Sequence, residues 1–144
     1  GVNDEDRFGC QAVVNEHDEV EALSERLLIG ATTLPLQQIV DEIHRRGGLG
    51  VAAHVDRESF GILGQLGFIP EGLPLDAIEV TRRTGIAGAR RAHPEFARFA
   101  LIESSDSHCI ADIGRGITRV LMQEATLAEL KLAFERKDGR RILE

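Results

Sequence analysis

The chain has neither tryptophan nor tyrosine, and its only aromatic side chains, histidine apart, are six phenylalanines. A base-stacking platform for nucleic acid would have to be built from those six alone. Two cysteines, Cys10 and Cys109, form no C-x-x-C pair and no disulfide framework. With no disulfide to protect, a cytoplasmic home is the expectation. No apolar run approaches the roughly 18 residues of a membrane span, and no signal-peptide pattern is present, so no membrane partner is expected. Positive charge is also scarce: 17 basic against 24 acidic residues give a formal net charge of −7. That balance argues against a long nucleic-acid footprint, which needs a basic stripe. It leaves room for small phosphate compounds, because a local metal ion or arginine overrides net charge. What remains is an ordinary soluble composition, 42% hydrophobic and 28% charged over 144 residues, long enough for one domain with a real core.

Residues 1–25 are polar and acidic, with no period beyond the run Gln11-Ala12-Val13-Val14, and read as a loop or irregular arm. His17 lies there as a solvated histidine. Residues 26–30 read as a short strand or connection. The first 30 residues are therefore an irregular lead-in within a single domain, and 31–144 carry the regular structure.

The spacing of Leu36, Ile39, Val40 and Ile43 predicts a helix over 35–46. Pro35 suits its first turn, Arg45-Arg46 its negative end, and Gly47-Gly48 its stop. His44 falls beside the apolar stripe and reads as structural or surface. Residues 49–54 are apolar on both faces, as in a strand buried between helices. A weak helix, interrupted by glycines, is expected over 58–66, and a strand over 75–81. A helix over 86–92 and a turn over 94–98 follow. A strand over 99–102 and another over 117–122 come next. Thr126 and Glu129 form an S/T-x-x-E start for a helix running to Arg136. Residues 140–144 read as a tail or last short strand. Alternating strands and helices predict an α/β fold with a mostly parallel sheet.

In such folds the site lies at the carboxyl ends of the strands. Three strands here end in residues able to do chemistry: His54, Glu79, and the pair Asp106 and His108 in Ser104-Ser105-Asp106-Ser107-His108. If extended geometry persists through this stretch, Asp106 and His108, two apart, point to one face. A carboxylate and an imidazole converging on one point can hold a metal ion or move a proton. A polar loop with a helix cap explains the same residues equally well. Arg57 has two readings, neutralising a substrate phosphate or pairing with Asp56 or Glu58. Glu79 is either near the site or engaged in a cap or ion pair. Arg115 reads as solvent-exposed, Cys109 as a small buried residue, and His93 has no assigned role.

Ala53-His54-Val55-Asp56-Arg57 after a buried strand, with Ser105-Asp106-Ser107-His108 followed by Ile113-Gly114, resembles the third and fourth motifs of the PHP (polymerase and histidinol phosphatase) family. The acidic VVNEHDEV stretch and the LLIGATTLPL lead-in are similar to the middle section of stand-alone bacterial members. The resemblance implies a distorted (β/α)7 barrel holding zinc, manganese or iron, and phosphoester hydrolysis by a metal-bound hydroxide. A divalent ion supplies such a nucleophile by bringing the pKa of bound water to about 7. By position, His54, Asp106 and His108 are the implied metal ligands, and the implied substrate is a small phosphate ester or short nucleotide. The family's opening H-x-H motif is missing: no two of His17, His44, His54, His93 and His108 are two apart. The chain is therefore expected to be the C-terminal portion of such a barrel. Its partner would be the missing N-terminal half, its own metal binding partial, and its turnover weak or nil. An opened sheet would leave edges for homodimer formation. Two other classes stand beside this one. The first is a non-catalytic βα binding module, such as a degenerate PHP domain. The second is an amidohydrolase barrel, which pairs H-x-H with a carboxylated lysine; here the lysines, Lys131 and Lys137, fall in the last helix.

Overall fold

The structure is a computed structural model describing residues 1–143; Glu144, which the reading of 140–144 included, lies outside the described residues. The chain divides into two compact units, Gly1–Pro35 and Leu36–Glu144.

In the first unit a one-turn helix, α1 (Glu5–Phe8), precedes an antiparallel hairpin of β1 (Ala12–Val14) and β2 (Val20–Leu23). Asn15 makes the hairpin turn. Its Oδ1 accepts from the backbone N–H of His17 (2.9 Å) and Glu19 (3.1 Å), as an Asx turn does. The Gln11 amide closes the unit, donating to the Arg26 carbonyl (2.7 Å) and accepting from the Leu28 N–H (2.8 Å). The expected irregular arm is thus a hairpin held by polar bonds. Its strands escape a periodicity search because all their residues are exposed, so no face is selected to be apolar.

The second unit is built on a parallel sheet in the order β3 (Val51–Ala52), β4 (Ala77–Val80), β5 (Ala100–Glu103). Strand alternation sorts β4 onto two faces. Ile78 and Val80 join Leu101, Val40, Val55, Ala89 and Phe96 in the main core. Ala77, opposite Ala100 in register, meets Phe134 in a second cluster. Two alanines facing each other leave the space that the phenyl ring fills. The helix α2 (Leu36–Arg45) buries Val40, as its spacing predicts. Next come α3 (Ile62–Leu66), α4 (Gly85–Ala92) and a 3-10 turn at Pro94–Arg98. The last helix, α5 (Leu127–Phe134), begins at Thr126, whose Oγ1 accepts from the Glu129 N–H at 3.3 Å. The Glu129 carboxylate does not return to the cap; it pairs with Arg140 (2.9 Å).

The expected barrel portion is not what forms. The described strands make three separate sheets of two, three and two strands, none of them closed. The strand expected over 117–122 is the element that leaves the pattern. It appears as β6 (Arg119–Leu121) and pairs antiparallel with β7 (Arg141–Leu143), not with β5. Thr118 occupies the end of β5: its Oγ1 donates to the Glu103 carbonyl and accepts from the Glu103 N–H, both at 2.7 Å. The backbone at the end of β5 is thereby satisfied by a side chain instead of another strand. Three short strands are also too few to wrap around an interior. Among the described residues no helix is long and apolar enough to cross a membrane.

Candidate functional site

The carboxyl ends of β3, β4 and β5 open into one cleft of about 690 Å³. His54, Arg57, Glu79, Asp106 and His108 all line it, so the residues singled out in the sequence share one surface. The chain also brings Asp56, Ser59, Thr81, Arg82, Arg83, Thr84, Ser104 and Asp112 there. The sequence reading missed the stretch Thr81-Arg82-Arg83-Thr84. It directly follows β4, and the strand-end rule that selected His54 would have selected it too.

The β3 end is a tight turn. His54 has φ 29° and terminates the strand, and the Val55 N–H returns to the Glu79 carbonyl at 2.8 Å. Gly61 packs onto this turn so closely that a Cβ there would lie 2.6 Å from the Arg57 carbonyl oxygen and 2.8 Å from that of His54. Only glycine fits such an approach. The result is a fixed backbone beneath His54 and Arg57. The Nδ1 of His54 is buried and has no hydrogen-bond partner, a condition that calls for an explanation in terms of function.

Asp56 ties two strand ends together. Its carboxylate accepts from the Thr81 N–H (2.8 Å) and the Thr81 hydroxyl (2.7 Å). Burial works to raise its pKa, but the hydrogen bonds from Thr84, Thr81 and its own backbone outweigh that and hold it below the ordinary carboxylate value. Asp56 is therefore a structural anion. Glu79, extending from β4, accepts a hydrogen bond from the Ser104 hydroxyl across the cleft floor.

At the β5 end the extended geometry stops at Glu103, and Asp106 adopts φ 45°. The two-apart alternation of Asp106 and His108 thus does not apply. Their relation is a turn instead, in which His108 Nδ1 meets the Asp106 carbonyl at 2.8 Å. A carbonyl only accepts, so Nδ1 is the donor in this contact and Nε2 takes no part in it. Gly116 walls the turn: its Cβ would stand 2.2 Å from the Ser104 carbonyl, and Ser105 Oγ bonds to both its N–H and its carbonyl at 3.1 Å.

Arg57 pairs with neither Asp56 nor Glu58. Its Nη1 donates to Asp106 Oδ2 at 3.1 Å, bridging the β3 and β5 ends. Cys109, expected to be buried, is exposed, with its Sγ 3.2 Å from Asp112 Oδ2. Arg115 pairs with the same Asp112 at 3.0 Å. Away from the cleft, His44 holds Asp76 at 2.6 Å, and His93 stacks on Phe96.

The donor set suits a divalent transition ion by type, with two imidazoles and several carboxylates. Its geometry does not complete a site. Among the described residues no three of His, Cys, Asp and Glu converge closely enough to hold a metal ion. Comparison with family models, curated proteins and solved structures gives no match in any of the three.

Proposed function

We propose that this chain contributes His54, Asp106 and His108 to a metal-dependent phosphoesterase site of the PHP type, acting on a small phosphate ester or short nucleotide. The observation that carries the reading is the gathering of these three residues, from two different strand ends, along one cleft. The unpartnered, buried His54 Nδ1 supports it, and so does the engagement of His108 through Nδ1, which leaves Nε2 out of that contact. So does the cleft's charge: five carboxylates against three guanidiniums would repel a phosphate unless a cation were also bound. Because no three ligands converge, the chain by itself is expected to turn over little or no substrate.

A second reading, a non-catalytic βα binding module, is favoured by that same lack of convergence. Metal content by mass spectrometry separates the two. The chain should retain substoichiometric zinc, manganese or iron, and the His54→Ala, Asp106→Ala, His108→Ala triple variant should lose it. Equal metal in both proteins, or none in either, would favour the binding module.

A further inference from the structure

We propose that Arg82 and Arg83 form an anion site for a phosphate group at the β4 end of the cleft, one that needs no metal ion. The inference stands on the two arginines and their turn, and it holds whether the chain is an esterase or a binding module.

The turn that carries the arginines is fastened at both ends. Thr81 gives its N–H and its hydroxyl to the Asp56 carboxylate, at 2.8 and 2.7 Å. The Thr81 carbonyl accepts from the N–H groups of Thr84 (3.1 Å) and Gly85 (2.8 Å). The hydroxyls of Thr81 and Thr84 lie 3.2 Å apart, and Thr84 also bonds to Asp56. Gly85 follows at φ 66°, a backbone that glycine adopts without steric cost. Arg82 and Arg83 sit at the tip of this turn, both exposed and both lining the cleft. A backbone already fixed has little freedom to lose when a ligand arrives.

Their guanidiniums are uncommitted. Arg45, Arg46, Arg57, Arg115 and Arg140 all meet carboxylates. Among the described residues Arg82 and Arg83 have neither an ion pair nor a hydrogen bond. Two like charges side by side repel, and an anion shared between them removes that cost. The cleft's own carboxylates do not supply it. Asp106 is paired with Arg57, and Asp112 with Arg115, which stands outside the lining. Asp56 is held by Thr81 and Thr84, and Glu79 by Ser104. The cleft's excess of negative charge therefore weakens binding at Arg82 and Arg83 without occupying them, and the affinity expected is on the order of millimolar. A guanidinium presents its donors as a planar fork that matches a pair of oxygens. Two forks and two charges suit a phosphate monoester or free phosphate, which has three or more outer oxygens and up to two negative charges. A carboxylate, with two oxygens and one charge, fills one fork and leaves the other empty.

The test uses the full chain in EDTA, with inorganic phosphate, glycerol 3-phosphate and acetate as probes, read by the arginine Nε–Hε NMR signals. Both phosphates should shift the Arg82 and Arg83 signals saturably, and acetate should bind at least about fivefold more weakly. Arg82→Gln and Arg83→Gln should each weaken phosphate binding about two- to fivefold, and the double variant about tenfold, the range of exposed charge contacts. Arg91→Gln, which removes an exposed arginine outside the cleft, should change nothing. A parental far-UV spectrum for each variant checks the fold. Tighter binding of glycerol 3-phosphate than of phosphate would assign the site to an ester's phosphoryl group, and equal affinities would assign it to the free anion. Four results would overturn the site: no shift of either signal in the parent, undiminished binding in the double variant, acetate binding as tightly as phosphate, or a loss in Arg91→Gln as large as in Arg82→Gln. Metal content in the His54, Asp106 and His108 triple variant is read separately, so the phosphoesterase reading and this site fail by different results.

Discussion

Replacing Asp56 by alanine should unfasten the cleft floor without touching a proposed ligand. The carboxylate accepts two bonds from Thr81, at 2.8 Å to the N–H and 2.7 Å to the hydroxyl. Both run to a charged acceptor, and both partners are half-buried, so water replaces part of what is lost. Two such bonds at roughly 1 kcal/mol each make the expected cost about 2 kcal/mol. For a chain of this size that lowers Tm by roughly 8 °C. The pH dependence follows from the sign of the shift. The hydrogen bonds hold the folded-state pKa of Asp56 below the ordinary value, so its contribution is complete above about pH 4 and is lost as pH falls through the folded value. The difference in Tm between parent and Asp56→Ala should accordingly narrow in acid. Asp56→Asn should cost less, since its amide can accept from the N–H and donate to the hydroxyl. Thermal unfolding followed by circular dichroism between pH 3 and 7 reads all three. A loss under about 2 °C at pH 7, or a gap that widens in acid, would refute the reasoning.

Two glycine substitutions should move in opposite directions. Gly116→Ala forces a Cβ to within 2.2 Å of the Ser104 carbonyl and disturbs the paired bonds to Ser105, so a loss of about 1–3 kcal/mol is expected by denaturant unfolding. Gly88→Ala lies inside α4, where the added methyl meets Thr84 Cγ2 at an ordinary 3.4 Å. It should stabilise the chain by about 0.5–1 kcal/mol in the same assay, because alanine restricts the unfolded chain more than glycine does.

The elements most legible in the sequence are those whose local pattern and tertiary burial agree. The apolar stripe of α2, which buries Val40, and the alternation in β4, which buries Ile78 and Val80, are examples. The gathering of His54, Glu79, Asp106 and His108 was legible for a related reason. Parallel strands that share a sheet deliver their carboxyl ends to one edge, whatever the loops do. The barrel was not legible, because strand partnership is not a local property. The apolar spacing of 117–122 is the same whether that strand pairs with β5 or with β7, and the fold takes β7. Backbone reversals were hidden as well. Asp106 at φ 45° cancels an alternation argument that its sequence neighbours support. The Arg57–Asp106 pair joins residues 49 positions apart, a separation at which one sequence gives no pairing signal.

The central claim is that His54, Asp106 and His108 serve one cation site in the strand-end cleft. It is tested most directly by adding manganese(II) in small portions and following the side-chain NMR signals of the five histidines. The account predicts that paramagnetic broadening strikes His54 and His108 first and together, leaves His17, His44 and His93 sharp, and disappears in Asp106→Ala. Broadening that begins at His17 or His93, or that reaches His54 and His108 at widely different concentrations, would contradict it.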